Sequence, residues 1–247
     1  MFIVCFILFG VGIKAQRFPQ AVLPGDYPDP SILRDGKDYY MTHSPFYYAP
    51  GFLIWHSTDL MRWEPVCRAL PEYEGSAMAP DLLKYQGRYY IYYPTSTGEN
   101  YVIYADDIRG PWSRPVKLDV RGIDPGHVVG EDGKRYLFTN NGWITPLSDD
   151  GLKVTGKSRK VYDGWKYPAN WVTEGKDMYL ESPKLLYKDG YYYMMSAEGG
   201  TAGPATSHMC VVARSKSVFG PWETHLIIPL CILTVPVKTG GQKAMEP

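Results

Sequence analysis

Short apolar runs alternate with turn residues along the chain, and four stretches follow one template of proline, apolar strand, glycine turn and aromatic strand. They span Tyr27 to Tyr40, Ala79 to Tyr90, Asp124 to Tyr136 and Glu181 to Tyr192. Asp35-Gly36, Gln86-Gly87, Asp132-Gly133 and Asp189-Gly190 mark the reversals, because Gly and Asp or Asn tolerate the positive φ of a tight hairpin. Outer-strand signatures follow: Ile54-Trp55-His56-Ser57 ahead of Trp63, Tyr104-Ala105 ahead of Trp112, and Ala213-Arg214-Ser215 ahead of Trp222. The aligned prolines Pro30, Pro80, Pro125 and Pro183 lie 50, 45 and 58 residues apart. That is the length of a four-stranded propeller blade, so the pattern predicts an all-β propeller with about four blades in this chain. A β-sandwich is the structural alternative, but sandwiches do not repeat such a unit at this period.

Composition strengthens the β reading. The 247 residues include 21 Tyr, 25 Gly and 21 Pro, a mixture that favours short strands and tight turns over helices. Lys and Arg number 26 against 26 Asp and Glu, so no global field draws the chain to nucleic acid or anionic lipid. Cys5, Cys67, Cys210 and Cys231 are too dispersed for a disulfide framework or a zinc motif. The apolar run from Phe2 to Ile13 is too short to span a bilayer and is followed by Lys14-Ala15-Gln16. It reads as a secretory signal peptide over residues 1–16, placing the protein in the periplasm or outside the cell; a buried first strand is the alternative. Neither a G-x-G-x-x-G after a strand nor a Walker loop is present to hold a nucleotide cofactor.

Chemistry enters with the acids at the starts of the repeats. The first strand of each propeller blade lines the central channel, so residues at those starts converge although they are distant in sequence. Asp29 precedes Pro30, Asp124 precedes Pro125, and Glu181 stands two before Pro183, whereas the second repeat has Met78-Ala79-Pro80 with Asp81 past the proline. Two carboxylates across a polar pocket, with a third to tune them, suit acid/base cleavage of a glycosidic bond. A single Asp-Pro is a turn signal; acid in three registers is more. Glu174 competes with Glu181, and register against the prolines favours Glu181. His127, in a channel strand, reads as a hydrogen-bonding residue and not a metal ligand, and no metal-binding residues are assigned. The doubled tyrosines Tyr39-Tyr40, Tyr89-Tyr90 and Tyr191-Tyr192 read as inter-blade core.

Tyr27-Pro28-Asp29-Pro30-Ser31, Gly122-Ile123-Asp124-Pro125-Gly126-His127, and Leu180-Glu181-Ser182-Pro183-Lys184 followed by Tyr191-Tyr192-Tyr193 and Ala197-Glu198-Gly199-Gly200-Thr201 resemble the blade openings of glycoside hydrolase family 43. The resemblance runs from about Pro24 to Glu223, and Ala202-Gly203-Pro204-Ala205-Thr206-Ser207-His208-Met209 is similar to its xylosidase and arabinofuranosidase branch. It implies a five-bladed propeller and an inverting hydrolase acting on xylose- or arabinose-containing plant polysaccharide or oligosaccharide. Asp29 would be the general base, Glu181 the general acid and Asp124 the third carboxylate that raises the pKa of the acid and orients it. Inversion needs base and acid roughly 6.5 to 9.5 Å apart, leaving room for a water. Phe46, Met78, Thr201 and His208 are the candidate sugar contacts, since pentose sites pair an apolar platform with directed hydrogen bonds. Phe46 could equally be packing, and Thr201 and His208 could satisfy backbone groups. Ser182 stands where the family usually has Gly, and Met78 where many members have Trp, which leaves the sugar open. No cofactor is required, although the intact family fold leaves room for a structural Ca2+ in the channel. An endo-acting arabinanase and a non-catalytic sugar-binding propeller are the alternative functions.

After residue 223 the repeat stops. The expected organisation is therefore residues 1–16 as signal peptide, 17–223 as four propeller blades and 224–247 as an aberrant tail. Codons for the tail read one nucleotide earlier permit a run ending in Gly-His-Gly-Thr that resembles the family's fifth blade, so the expectation is a frameshift there. Four blades of a five-blade design would leave two faces and two strand edges uncovered, with marginal stability or aggregation the expected result.

Overall fold

A computed structural model describes residues 21–73, 75–166, 179–199 and 209–224. The apolar run from Phe2 to Ile13, Glu174, Thr201, His208 and the segment from residue 225 onward lie outside the described residues. Among the described residues, sixteen strands form four antiparallel sheets of four, each sheet consisting of four consecutive strands in sequence order. The first blade contains β1 (Ser31–Asp35), β2 (Asp38–Thr42), β3 (Gly51–Ser57) and β4 (Glu64–Leu70). The second contains β5 (Asp81–Tyr85), β6 (Arg88–Pro94), β7 (Asn100–Ala105) and β8 (Val116–Leu118). The third contains β9 (Gly126–Val129), β10 (Arg135–Thr139), β11 (Trp143–Pro146) and β12 (Arg159–Lys160). The fourth contains β13 (Tyr179–Lys188), β14 (Tyr191–Gly199), β15 (Met209–Ser215) and β16 (Glu223–Thr224). The last strand thus takes in Thr224, one residue beyond the boundary read from the sequence. Inner strands adjoin in the order β1, β5, β9, β13, giving the propeller arrangement.

The opening hairpins are tight where the turn residues allow it. Gln86-Gly87 and Asp189-Gly190 are two-residue loops with both residues at positive φ (48° and 85°, 51° and 79°), the conformation of a type I′ turn that matches strand twist. In the first blade the loop is Gly36-Lys37, shifted one residue from Asp35-Gly36, with Gly36 at φ 64°. In the third blade β9 and β10 are joined across five residues, closed by Gly130 N–H to the Lys134 carbonyl at 2.8 Å.

The doubled tyrosines follow from strand pleat, since neighbouring residues face opposite sides of a sheet. Tyr89 packs between the first and second blades with Phe52, Ile54, Ile91 and Ile103, while Tyr90 faces the third with Tyr92, Val102 and Leu137. Tyr192 sits between the third and fourth blades with Phe138, Ile144 and Met194. Trp112 and Trp222, which end matching sequence signatures, close the first and last of these cores. In the fourth blade Leu186, Tyr187 and Met195 are exposed.

One glycine is fixed by close approach. A Cβ on Gly126 would lie 1.7 Å from the Pro183 carbonyl oxygen, a backbone atom that cannot swing aside. Gly126→Ala is expected to push β9 from β13 and cost about 3 kcal/mol, read as a lower urea midpoint with an unchanged slope.

Candidate active site

Every blade opens on the same backbone device. Asp29, Ala79, Asp124 and Ser182 each precede the blade's proline, and all four have positive φ, at 53°, 41°, 57° and 49°. Residues before proline favour extended backbone, and a left-handed non-glycine residue stores about 1 to 3 kcal/mol. Four such residues at equivalent places turn the chain into the channel four times. Glu181 is therefore one residue ahead of the equivalent position, which Ser182 occupies, and β13 has a register irregularity between Glu181 and Lys184.

The post-proline residues bind neighbouring blades together. Ser31 Oγ accepts from Leu82 N–H at 2.9 Å, and Asp81 Oδ2 accepts from His127 N–H at 2.8 Å. Lys184 reaches back across the channel, donating to the Pro125 carbonyl at 2.7 Å, Asp81 Oδ1 at 3.0 Å and the Pro80 carbonyl at 3.3 Å.

Asp29 and Asp124 sit in different surroundings. Asp29 is exposed and accepts a short hydrogen bond from Ser44 Oγ, which in turn accepts from Ala79 N–H at 2.6 Å. Asp124 is buried, with Oδ2 accepting from Ser182 N–H at 3.2 Å. Burial, the Glu181 charge and, to a lesser degree, the Asp29 charge push the Asp124 carboxyl up to about 6; Ser182 N–H and the Lys184 ammonium oppose them. The three acids chosen from the sequence thus interact electrostatically around the ends of β1, β9 and β13. Beside them a cavity of about 270 Å³ is lined by Asp29, Ala79, Ser182 and Lys184 and, on β14 and β15, by Met195, Ala197 and Cys210.

The sugar-contact candidates divide. Phe46, half-buried at φ 47°, bridges to Ala77 through Phe46 N–H to the Ala77 carbonyl at 3.0 Å. Met78 follows Ala77 and donates its N–H to the Pro94 carbonyl at 3.0 Å. Met78 thus stands on the segment leading to Ala79, and Phe46, in the loop between β2 and β3, bridges to it. Phe46 lines a separate cavity of about 400 Å³ with Tyr27, His43, Ser44 and Tyr48, and not the cavity containing Asp29.

His127 is a hydrogen-bonding residue. Its Nε2 accepts from Arg135 Nε at 2.9 Å, and its ring stacks on Tyr92 at 5.9 Å. Arg135 is fully buried between the rings of Tyr85 and Tyr90, at 4.5 and 4.4 Å, and donates to Tyr92 Oη at 3.0 Å. Among the described residues no group of three or more His, Cys, Asp or Glu side chains is placed to hold a metal ion.

Sequence reasoning did not select Ser44, Asp81 or Lys184 as site residues. Glu198, quoted only within a motif, is a buried acid that accepts from Ser196 Oγ at 2.9 Å and Trp165 N–H at 2.8 Å.

The sequence profile of Glycosyl hydrolases family 43 matches residues 18–234. The chain belongs to that family. Among curated family relatives, xylosidase/arabinosidase 43B of Humicola insolens is 34% identical, over 83% of this chain and 41% of the relative. The non-reducing end alpha-L-arabinofuranosidase BoGH43B of Bacteroides ovatus is 30% identical, over 89% of this chain and 42% of the relative. The crystal structure of the family 43 protein BlXynB from Bacillus licheniformis superposes with a TM-score of 0.74 at 34% identity, covering 87% of this chain and 44% of that one. The family 43 chain thus spans about two fifths of the length of these curated relatives.

Proposed function

We propose that this family 43 chain is the propeller part of an inverting glycoside hydrolase that releases terminal β-xylosyl or α-L-arabinofuranosyl units from xylan- or arabinan-type saccharides. The observation that carries this is the interaction of Asp29, Asp124 and Glu181, with the Asp124 carboxyl pushed up to about 6 by burial and its acidic neighbours. Like charges side by side oppose joint ionisation, which is how the Glu181 charge acts on the Asp124 carboxyl. Glu181 is assigned as the acid that protonates the leaving oxygen, and Asp124 as the carboxylate that tunes and orients it. Asp29, exposed and held by Ser44, is assigned as the base that draws a proton from the attacking water. Phe46 and Met78 are assigned to the apolar rim, and Thr201 and His208 to hydrogen bonds with the sugar. The apolar run near the N-terminus supports export from the cytoplasm.

The test is hydrolysis of p-nitrophenyl β-xyloside and p-nitrophenyl α-L-arabinofuranoside, with the anomer of the released sugar followed by proton NMR. Release with inverted anomeric configuration supports the proposal. Retention overturns the water-attack assignment, and sugar binding without turnover makes the propeller a binding module. In an active preparation, Ser44→Ala is expected to lower kcat about tenfold with little change in KM, since it removes the hydroxyl that holds Asp29 and leaves Ala79 N–H without that acceptor.

A further inference from the structure

Lys184 is exceptional among the channel groups because it joins three blades at one point. Its stem leaves the fourth blade on β13, and its ammonium donates to one carboxylate and two carbonyls supplied by the second and third blades. An ammonium has three protons, so these acceptors use its full donor capacity. Two of the acceptors, the Pro80 and Pro125 carbonyls, belong to the residues directly after the strained Ala79 and Asp124. Asp81, the third, is fixed through its other oxygen by His127 N–H. Lys184 also lies two residues after Ser182, whose N–H holds Asp124, and lines the same cavity as Asp29. A cation of this chain's own therefore occupies the oxygen cage between the blade openings.

We propose that Lys184 is a positioning residue of this active site: its ammonium ties the openings of three blades together and thereby fixes where Asp124 stands relative to Glu181. The inference rests on the carboxylate reading above, and it deepens that reading by supplying the element that holds the acids apart. The charged groups acting on Asp124 are Glu181 and Asp29, which oppose its ionisation, and Lys184, which favours it. Lys184 itself faces Asp81. Without the ammonium, Asp124 loses its cationic neighbour while both acidic neighbours remain.

The experiment is a carboxyl-carbon NMR titration of the full chain and its Lys184→Met variant, with Asp124→Asn used to assign the signal. In the unmodified chain the Asp124 signal is expected to titrate near 6, and in Lys184→Met about one pH unit higher. Lys184→Arg, which keeps the cation, is expected to restore most of the shift. A folded Lys184→Met chain whose Asp124 titration is unmoved overturns the proposal. A second measurement needs no variant: the Lys184 ammonium nitrogen signal should show slowed proton exchange and should shift as Asp124 titrates. A fast-exchanging ammonium indifferent to that titration also overturns it. Coupling seen by NMR in a chain with no hydrolytic activity upholds the Lys184 inference while defeating the proposed function.

Discussion

Glu181→Gln is expected to lower kcat on a xylo- or arabino-oligosaccharide by at least about a thousandfold while leaving much of the turnover of the matching p-nitrophenyl glycoside. The asymmetry comes from the leaving group. A sugar alkoxide is a strong base and departs only as it is protonated, whereas p-nitrophenolate is stable near neutral pH and needs little help. Asp29→Asn makes the contrasting case, because water must lose its proton whatever leaves. That variant is expected to lose about a thousandfold on both substrates. Steady-state kinetics of the two variants on the two substrate types separates the roles. Equal losses for Glu181→Gln on both substrates would remove it as the acid and return attention to Glu174.

Much of this architecture was legible because it is local. A proline, a glycine turn and an aromatic strand each constrain a few adjacent residues, and their recurrence reports a blade without knowledge of its neighbours. The doubled tyrosines were legible for a similar reason: pleat alone sends Tyr89 and Tyr90 into two different inter-blade cores. The convergence of Asp29, Asp124 and Glu181 followed from placing blade starts around one channel. Their common backbone state did not, because the ordinary preference before proline is extended, and left-handed Asp29, Ala79, Asp124 and Ser182 run against it. That device also shows why aligning prolines pairs Asp29 and Asp124 with Ser182 and leaves Glu181 one residue ahead. Lys184 was hidden by distance: its partner Asp81 is 103 residues away and the bond exists only after three blades assemble. Ser44 stands 15 residues from Asp29, across the first hairpin, in a loop that carries no pattern. Tight turns were less regular than their dipeptides implied, since Asp132-Gly133 falls within a five-residue connection whose closure depends on Gly130.

The chain should also lose stability in mild acid through His127. Burial, with the Arg135 charge as the lesser cause, pulls its imidazole down to about 3, against 6.5 for the free side chain. The folded protein therefore binds fewer protons at this site than the unfolded chain between those two values. Stability from this site is intact above 6.5 and is lost progressively as pH falls, by roughly 3 kcal/mol at pH 4.5. Asp124 works in the opposite direction: its raised carboxyl, near 6 instead of 3.8, favours the folded state in acid and loses that contribution as pH rises through the same window. The two oppose each other, so the whole-protein curve is shallower than either alone. His127→Gln separates them. A glutamine carbonyl can still accept from Arg135 Nε but does not titrate, so the variant should keep the Asp124 contribution and lose the His127 one. Urea unfolding at pH 7.5 and 4.5 is expected to show the native chain falling relative to His127→Gln by roughly 3 kcal/mol. Parallel curves would mean that the imidazole can be protonated in the folded protein, which would require Arg135 to leave its position between Tyr85 and Tyr90.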